Sequence, residues 1–485
     1  MRMGIRALPT IIQGGMGIGV SHWPLARTVS LRGQLGVVSG TALDAVFARR
    51  LQHGDPEGHL RRALDKLPMP GVAERVLDRY FIEGGKSPTT PYRAVPMPCV
   101  QPTSFHLELL VAANFVEVFL AKEGHQGLVG INYLRKIEPP TLPSLFGAML
   151  AGVDVVLMGA GIPTTIPGIL DRMAQGRSVE LPLEVQEGEC ALMHFDPRAF
   201  CELRGGAMPS LQRPDFFAIV SYDSLATMLS RKATGRINGF VIEDFTAGGH
   251  NARPRGRMQL NDRGEPIFGP RDVADLAVFR ELGVPFWLAG TRGHPDRVRE
   301  AIEAGAQGVQ IGTAFAFCAE SAMTPDVKRR VHDAVLADRA DVLTDPLASP
   351  AGLPFKIVQL DDTLSDPCLC EARPRYCDLG YFRHAYRRED GSIGWRCPAE
   401  PADDYVNRGG EVEDTVGRKC LCNGLIAAIG LPQMRNGGDE EPMLITAGQG
   451  LRDIARYIRS DGQCYTADEV IDDLLTGAVA ARASA

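Results

Sequence analysis

"VPFWLAGTRGHPDRVREAIEAGAQGVQIGTAF", residues 284 to 315, holds one complete strand–helix–strand unit. An apolar run from Val284 to Ala289 stops at Gly290 and Thr291. "HPDRVREAIEAG" follows with helical spacing and ends at Gly305, where a helix terminus favours a left-handed residue. A second apolar run, "GVQI", stops at Gly312 and Thr313. The two strand-ending glycines lie 22 positions apart, about one βα repeat. Both strands are continuous apolar runs, the pattern of a parallel sheet covered on both faces.

The same unit recurs outward from this stretch. "PTIIQGGMGIGV", "GQLGVVSG", "LVGINYL", "VDVVLMGAG", "VELPLEVQ" and "INGFVIED" read as six further strands. "PLARTVSLRG", "ALDAVFARRLQHG", "FHLELLVAANFVEVFLAKEG", "LPSLFGAMLAG", "IPGILDRMAQG", "SLATMLSRKATG" and "RDVADLAVFRELG" read as helices between them. About eight units predict an α/β fold of the closed (β/α)8, TIM-barrel type. An open doubly wound sheet is the alternative. Residues 54 to 92 are charged, helix-like and proline-punctuated, and read as an insertion. The barrel is expected over residues 1–340, with residues 341–485 as a C-terminal extension that caps it. In that extension Thr466 and Glu469 have the spacing of a helix capping box.

Composition narrows the function. The 485 residues are 45% hydrophobic and 23% charged, an ordinary globular balance with a formal net charge of −7. That charge favours neither nucleic acid nor an anionic membrane as partner. The N-terminal residues lack the apolar core of a signal peptide, and no window of about 18 apolar residues suggests a spanning helix. A soluble, cytoplasmic protein is the expectation. The eleven cysteines read as thiols rather than a disulfide framework. Six fall late: Cys368, Cys370, Cys377, Cys397, Cys420 and Cys422. Their C-x-C pairs are a weaker metal signal than C-x2–4-C, and buried thiols are the alternative. No metal is assigned to them.

Small residues crowd the strand ends, which form the active-site face of a barrel. "QGGMG", "SGT", "AGGH", "AGTRG" and "IGT" bring backbone N–H groups close to any ligand, with no side chain in the way. The loops after the last two barrel strands commonly hold a phosphate. Gly290, Thr291, Gly312 and Thr313 are therefore phosphate candidates; tight turns that hold nothing are the alternative. His250 follows Gly248 and Gly249 directly. An unperturbed imidazole titrates near pH 6.5, which suits an acid/base or an anion partner. The alternative is a histidine satisfying a loop hydrogen bond. His22, His106, His125 and His194 have no comparable setting and read as structural or surface residues. Arg253, Arg255 and Arg257 form either a solvated loop or a lid that attracts an anionic substrate.

"IIQGGMG", "GINYL", "TAGGHNARPRG", "PFWLAGTRG" and "GVQIGTAF", taken in order, resemble the nitronate monooxygenase (2-nitropropane dioxygenase-like) family over roughly residues 8 to 325. The resemblance implies an FMN-binding barrel. By motif, Gly15, Met16 and Gly17 would pass beside the isoalloxazine ring, and Asn132 would meet its pyrimidine side. Gly248 and Gly249 would lie near the ribityl chain and phosphate, with Gly290, Thr291, Gly312 and Thr313 on the phosphate itself. His250 matches the histidine the family places at the flavin's reactive edge. The run "EDFT" before "AGGH" departs from the family pattern, as do the insertion and the tail.

The leading expectation is an FMN-dependent monooxygenase that oxidises alkyl nitronates, with dioxygen as electron acceptor. One alternative is an NAD(P)H-dependent enoyl-thioester or quinone reductase on the same barrel. Another is a non-catalytic partner protein. In the first two the flavin carries the electrons, and the protein binds and orients it. The partners expected are a small-molecule substrate and dioxygen. The oligomeric state is left open.

Overall fold

The computed structural model describes residues 8–435 and 438–483. Eight parallel strands close into a barrel. They are β1 (Ile11–Gln13), β2 (Leu35–Ser39), β3 (Val129–Leu134) and β4 (Val155–Gly159). β5 (Asp215–Val220), β6 (Gly239–Glu243), β7 (Phe286–Ala289) and β8 (Gly308–Ile311) complete it. Each strand pairs with its neighbours in sequence, and β8 returns to β1 through Ile11 opposite Val309. The predicted (β/α)8 class is the observed one.

One strand assignment needs correction. "VELPLEVQ" is outside the barrel: Val179–Leu183 pairs antiparallel with Ala191–Phe195, and Val185–Gln186 joins His384–Arg387. The fifth barrel strand is "DFFAIV", Asp215–Val220. Its apolar run is continuous, as a two-face-covered strand requires. Val179, Leu181 and Leu183 are buried while Glu180 is exposed, the alternation of a half-exposed ribbon.

The barrel is filled rather than hollow. Ile12, Val37, Leu157, Phe217, Val241 and Trp287 point inward and form their own buried cluster. Phe217 and Trp287 stack with centroids 4.8 Å apart, and Trp287 Nε1 donates to Pro9 O at 2.8 Å. Burying side chains of this size contributes roughly 1.5–3 kcal/mol each. The interior ends in polar and small residues only where the strands finish.

Between β2 and β3 the chain inserts helices His59–Leu64 and Val72–Tyr80 before helix Ser104–Lys122. That last helix is long and apolar enough to cross a membrane by composition alone. In this fold 78% of its most apolar 18-residue window is buried within the protein. Its Glu108 pairs with Arg75 and Arg204 at 2.8 and 2.9 Å, and its Glu117 with Arg50 at 3.4 Å.

Beyond residue 341 the chain runs back over the strand ends. Val342–Asp345 and Phe355–Val358 form an antiparallel pair. Phe355 bridges to His250, and Lys356 N donates to Gly249 O at 3.0 Å. Helix Ala467–Ala483 crosses helix Pro295–Glu303 so closely that a Cβ on Gly477 would lie 1.9 Å from Pro295 O. The capping box is present: Glu469 N donates to Thr466 Oγ1 at 3.3 Å, and Thr466 N to Glu469 Oε2 at 2.7 Å.

Candidate active site

A cavity opens at the C-terminal ends of the strands, with about 1510 Å³ of empty space counting its open mouth. Ligand pockets typically occupy ~300–1,000 Å³. Every strand end contributes to it, and all of the sequence-predicted site residues line it. Gly15, Met16 and Gly17 come from the turn after β1, and Asn132 from β3. Gly248, Gly249 and His250 follow β6. Gly290 and Thr291 follow β7, and Gly312 and Thr313 follow β8.

Two of these glycines have a steric reason to be glycine. A Cβ on Gly15 would lie 2.4 Å from Asn132 Cβ. Gly290 has a φ of +125°, and a Cβ there would meet the Asp244 carboxylate at 2.4 Å. Both turns are therefore stripped to backbone beside the cavity.

The floor is polar in a defined way. Gln310 on β8 lies over Gly14, and its Oε1 is buried with no hydrogen-bond partner. Asn132 presents its amide beside Gly15. Glu243, at the end of β6, turns its side chain into the same space. Burial, reinforced by the neighbouring Asp244, pushes its carboxyl up to about 8. Glu243 thus keeps its proton at neutral pH.

The "EDFT" run has a structural role that sequence reasoning missed. Asp244 Oδ1 accepts from Thr246 N at 2.7 Å and also binds the Thr246 hydroxyl. Thr246 Oγ1 in turn accepts from Thr291 N at 2.8 Å, and Thr246 O accepts from Gln449 N at 2.9 Å. One carboxylate therefore ties together the loops after β6 and β7 and a segment of the tail. The Thr291 N–H is engaged within the protein, so its hydroxyl is the donor left to that turn. Thr313 Oγ1 accepts from Gly448 N at 2.9 Å, which leaves the hydroxyl hydrogen free to donate.

The tail supplies walls that no local motif announced. Phe355, Phe382, Thr446, Gly448, Asp453 and Tyr457 line the cavity. Gly249 N donates to Thr446 Oγ1 at 2.9 Å across nearly 200 residues of sequence.

His250 sits between barrel and tail. Its Nε2 shares a 2.7 Å hydrogen bond with Ser349 Oγ, and its ring lies 4.8 Å from Phe355 and 5.7 Å from Phe382. Burial pushes it down to about 4, so it is neutral at pH 7. Its residual exposure faces the cavity, and Nδ1 has no protein partner among the described residues. The other histidines are engaged elsewhere: His22 with Glu320 O at 2.9 Å, His106 with Asp44 at 3.3 Å, His125 with Ala121 O at 2.6 Å. His194 lies on the Ala191–Phe195 ribbon, outside the barrel.

The lid reading of the arginine loop does not match the geometry. Arg253 Nε donates to Gly352 O at 2.8 Å, and Arg255 stacks 4.2 Å over Tyr222. None of Arg253, Arg255 and Arg257 lines the cavity, and neither does any other described lysine or arginine. All eleven cysteines are free thiols. Cys377, Cys397, Cys420 and Cys422 share a small void behind Phe382. Among the described residues no three or more His, Cys, Asp or Glu side chains are placed to hold a metal ion.

No protein-family model matches the chain, and no curated protein matches it. Solved structures do align over nearly its whole length. FabK from Thermotoga maritima is 15% identical, covering 97% of this chain and 92% of that one, with a TM-score of 0.46. Nitroalkane oxidase from Streptomyces ansochromogenes is 17% identical, covering 98% and 97%, with a TM-score of 0.44. The enoyl reductase domain of MlnA, from the macrolactin biosynthesis cluster of Bacillus amyloliquefaciens, is 11% identical, covering 98% and 95%, with a TM-score of 0.46. At such identities and TM-scores the site has to be read from its own residues.

Proposed function

We propose that this chain is an FMN-dependent oxidoreductase whose substrate is small, conjugated and uncharged at the reacting atoms, such as an enoyl thioester or a quinone. The carrying observation is the cavity itself: glycine backbone at five strand ends, with an orphaned acceptor at Gln310 Oε1 on its floor. A flavin's pyrimidine edge offers an N–H between two carbonyls, which suits Gln310 Oε1 and the amide of Asn132. The hydroxyls of Thr291 and Thr313 and the backbone of their turns suit its phosphate. When bound, the flavin supplies two-electron chemistry; the chain's residues bind, orient and manage protons.

Charge favours the neutral substrate. A buried anion needs a cation or several hydrogen-bond donors. The described cavity residues include no lysine or arginine, and His250 is neutral. Nitronate oxidation with dioxygen is the second reading. It is supported by the "AGGH" resemblance and by His250 Nδ1, which has no partner among the described residues.

Heat release and chromatography of the cofactor test the flavin reading, with FMN rather than FAD expected. Anaerobic addition of NADPH and of propane-2-nitronate, each alone, then separates the two substrate readings. Bleaching of the flavin band by NADPH supports the reductase. Bleaching by the nitronate alone supports the second reading. A protein that stays colourless after reconstitution with FMN refutes both.

A further inference from the structure

Glu243 is a carboxyl group in an unusual place. It ends β6 on the face that points into the barrel, two residues beyond Val241 of the interior cluster. Its immediate neighbour Asp244 is committed to Thr246 and lies 4.0 Å from Arg292. Glu243 itself has no hydrogen-bond partner among the described residues. The strands on either side bring Ile219 and Ala289 to the same cavity, so its surroundings are largely apolar. A carboxyl that held the loops together would be bonded to them, as Asp244 is. Glu243 instead faces the open cavity.

The other titratable groups around that space are accounted for. His250 is neutral and shares its Nε2 with Ser349. The Tyr457 hydroxyl donates to Asp473 at 2.7 Å, and burial pushes it above its usual range. Asp453 belongs to the tail wall beside Gly450. No described lysine or arginine reaches the cavity to draw the proton off Glu243.

Resting on the flavin reading above, we propose that Glu243 is the proton donor to the substrate, completing reduction of a conjugated carbon–carbon double bond. The π bond breaks as hydride, carrying two electrons from the reduced cofactor, forms a C–H bond at the β carbon. The Glu243 O–H bond breaks as its proton forms a C–H bond at the α carbon. Glu243 is left as a carboxylate and regains a proton from water through the open mouth. His250 then serves as a neutral hydrogen-bonding wall.

The test uses full-length holoenzyme, photoreduced anaerobically, and follows flavin reoxidation. One acceptor, crotonyl-pantetheine, must gain a proton at carbon. The other, ferricyanide, takes electrons only. In the wild type, reoxidation by crotonyl-pantetheine is expected to slow as pH rises through about 8, while ferricyanide reoxidation stays level. E243Q should bind FMN as the wild type does and react normally with ferricyanide. Its reaction with crotonyl-pantetheine should be at least ~100-fold slower at pH 7 and independent of pH. A pH-dependent shift of the oxidised flavin band, present in the wild type, should vanish in E243Q. Equal crotonyl rates in the two proteins overturn the assignment, as does a wild type inert towards crotonyl-pantetheine. Equal slowing with both acceptors makes Glu243 a structural residue and also overturns it. A wild type that never binds flavin sinks the flavin reading itself, a failure visible before any acceptor is added.

Discussion

His250 should make the protein acid-sensitive in a way that one substitution removes. Its imidazole is held down to about 4 in the native state by burial. In the unfolded chain it returns to about 6.5. Below that value the unfolded state binds a proton that the native state refuses, so stability is full above about 6.5 and falls as pH drops towards 4. The whole difference is worth about 3 kcal/mol, and about 2 kcal/mol of it is lost by pH 5. Burial also holds His22, His53, His332 and His384 below their usual value, so acid loss in the wild type exceeds this one contribution. Comparison with H250Q isolates it. The variant loses ring contacts with Phe355 and Phe382 at every pH. Only the wild type carries the extra titration. Urea unfolding followed by tryptophan fluorescence at pH 7 and pH 5 should show the stability gap closing by about 2 kcal/mol in favour of H250Q at the lower pH. A gap that is unchanged between the two pH values would mean that His250 is solvated, and the argument for a neutral imidazole would fail.

Gly15→Ala should lower the melting temperature and abolish flavin retention, because its new Cβ would lie 2.4 Å from Asn132 Cβ and both atoms are fixed by backbone; thermal denaturation and the absorbance of purified protein check this. Thr446→Val leaves Gly249 N–H without its 2.9 Å acceptor and should destabilise by about 1–3 kcal/mol while speeding cofactor loss. Thr446→Ser should restore both, and a valine variant indistinguishable from wild type would show that the tail does not hold the glycine pair.

What was legible in the sequence depended on how local its physical cause is. Continuous apolar runs reveal a covered parallel strand whatever the rest of the chain does, so seven of the eight barrel strands were placed from them. "VELPLEVQ" resembles a barrel strand because its apolar residues are dense. The exposed Glu180 and the proline at 182 already marked a ribbon with one wet face. Strand-end glycines were legible for the same local reason: each must admit a neighbour's atoms where a Cβ would stand. Glu243 was not, because the run "EDFT" does not say which of two adjacent carboxylates faces the interior. That depends on strand phase, and phase is fixed by the register of β6 against β7. The contacts of Ser349 with His250, Thr446 with Gly249 and Gly448 with Thr313 were beyond reach. They join residues roughly 100 to 200 positions apart, and nothing local to either partner encodes the pairing.

The tail also changes how charge inside the barrel mouth has to be understood. Without it, His250 would face solvent and could take a proton to meet an anion. Ser349, Phe355 and Phe382 remove that option by burying the ring, while burial at the strand end and the neighbouring Asp244 keep Glu243 protonated. The carboxyl, an anion in water, is therefore neutral here, and the imidazole can no longer gain a proton near neutral pH. A substrate entering this space would meet hydrogen-bonding groups and apolar walls, and no lysine or arginine among the described residues. An unpaired buried anion costs several kcal/mol or more. An uncharged conjugated carbonyl meets no such penalty. The phosphate of a bound FMN would be a different case, since the hydroxyls of Thr291 and Thr313 and the backbone of the β8 turn could meet it. On the proposed reading, the division of labour would follow from position: the phosphate's fixed negative charge at the glycine turns, and uncharged reacting atoms over Glu243 and His250.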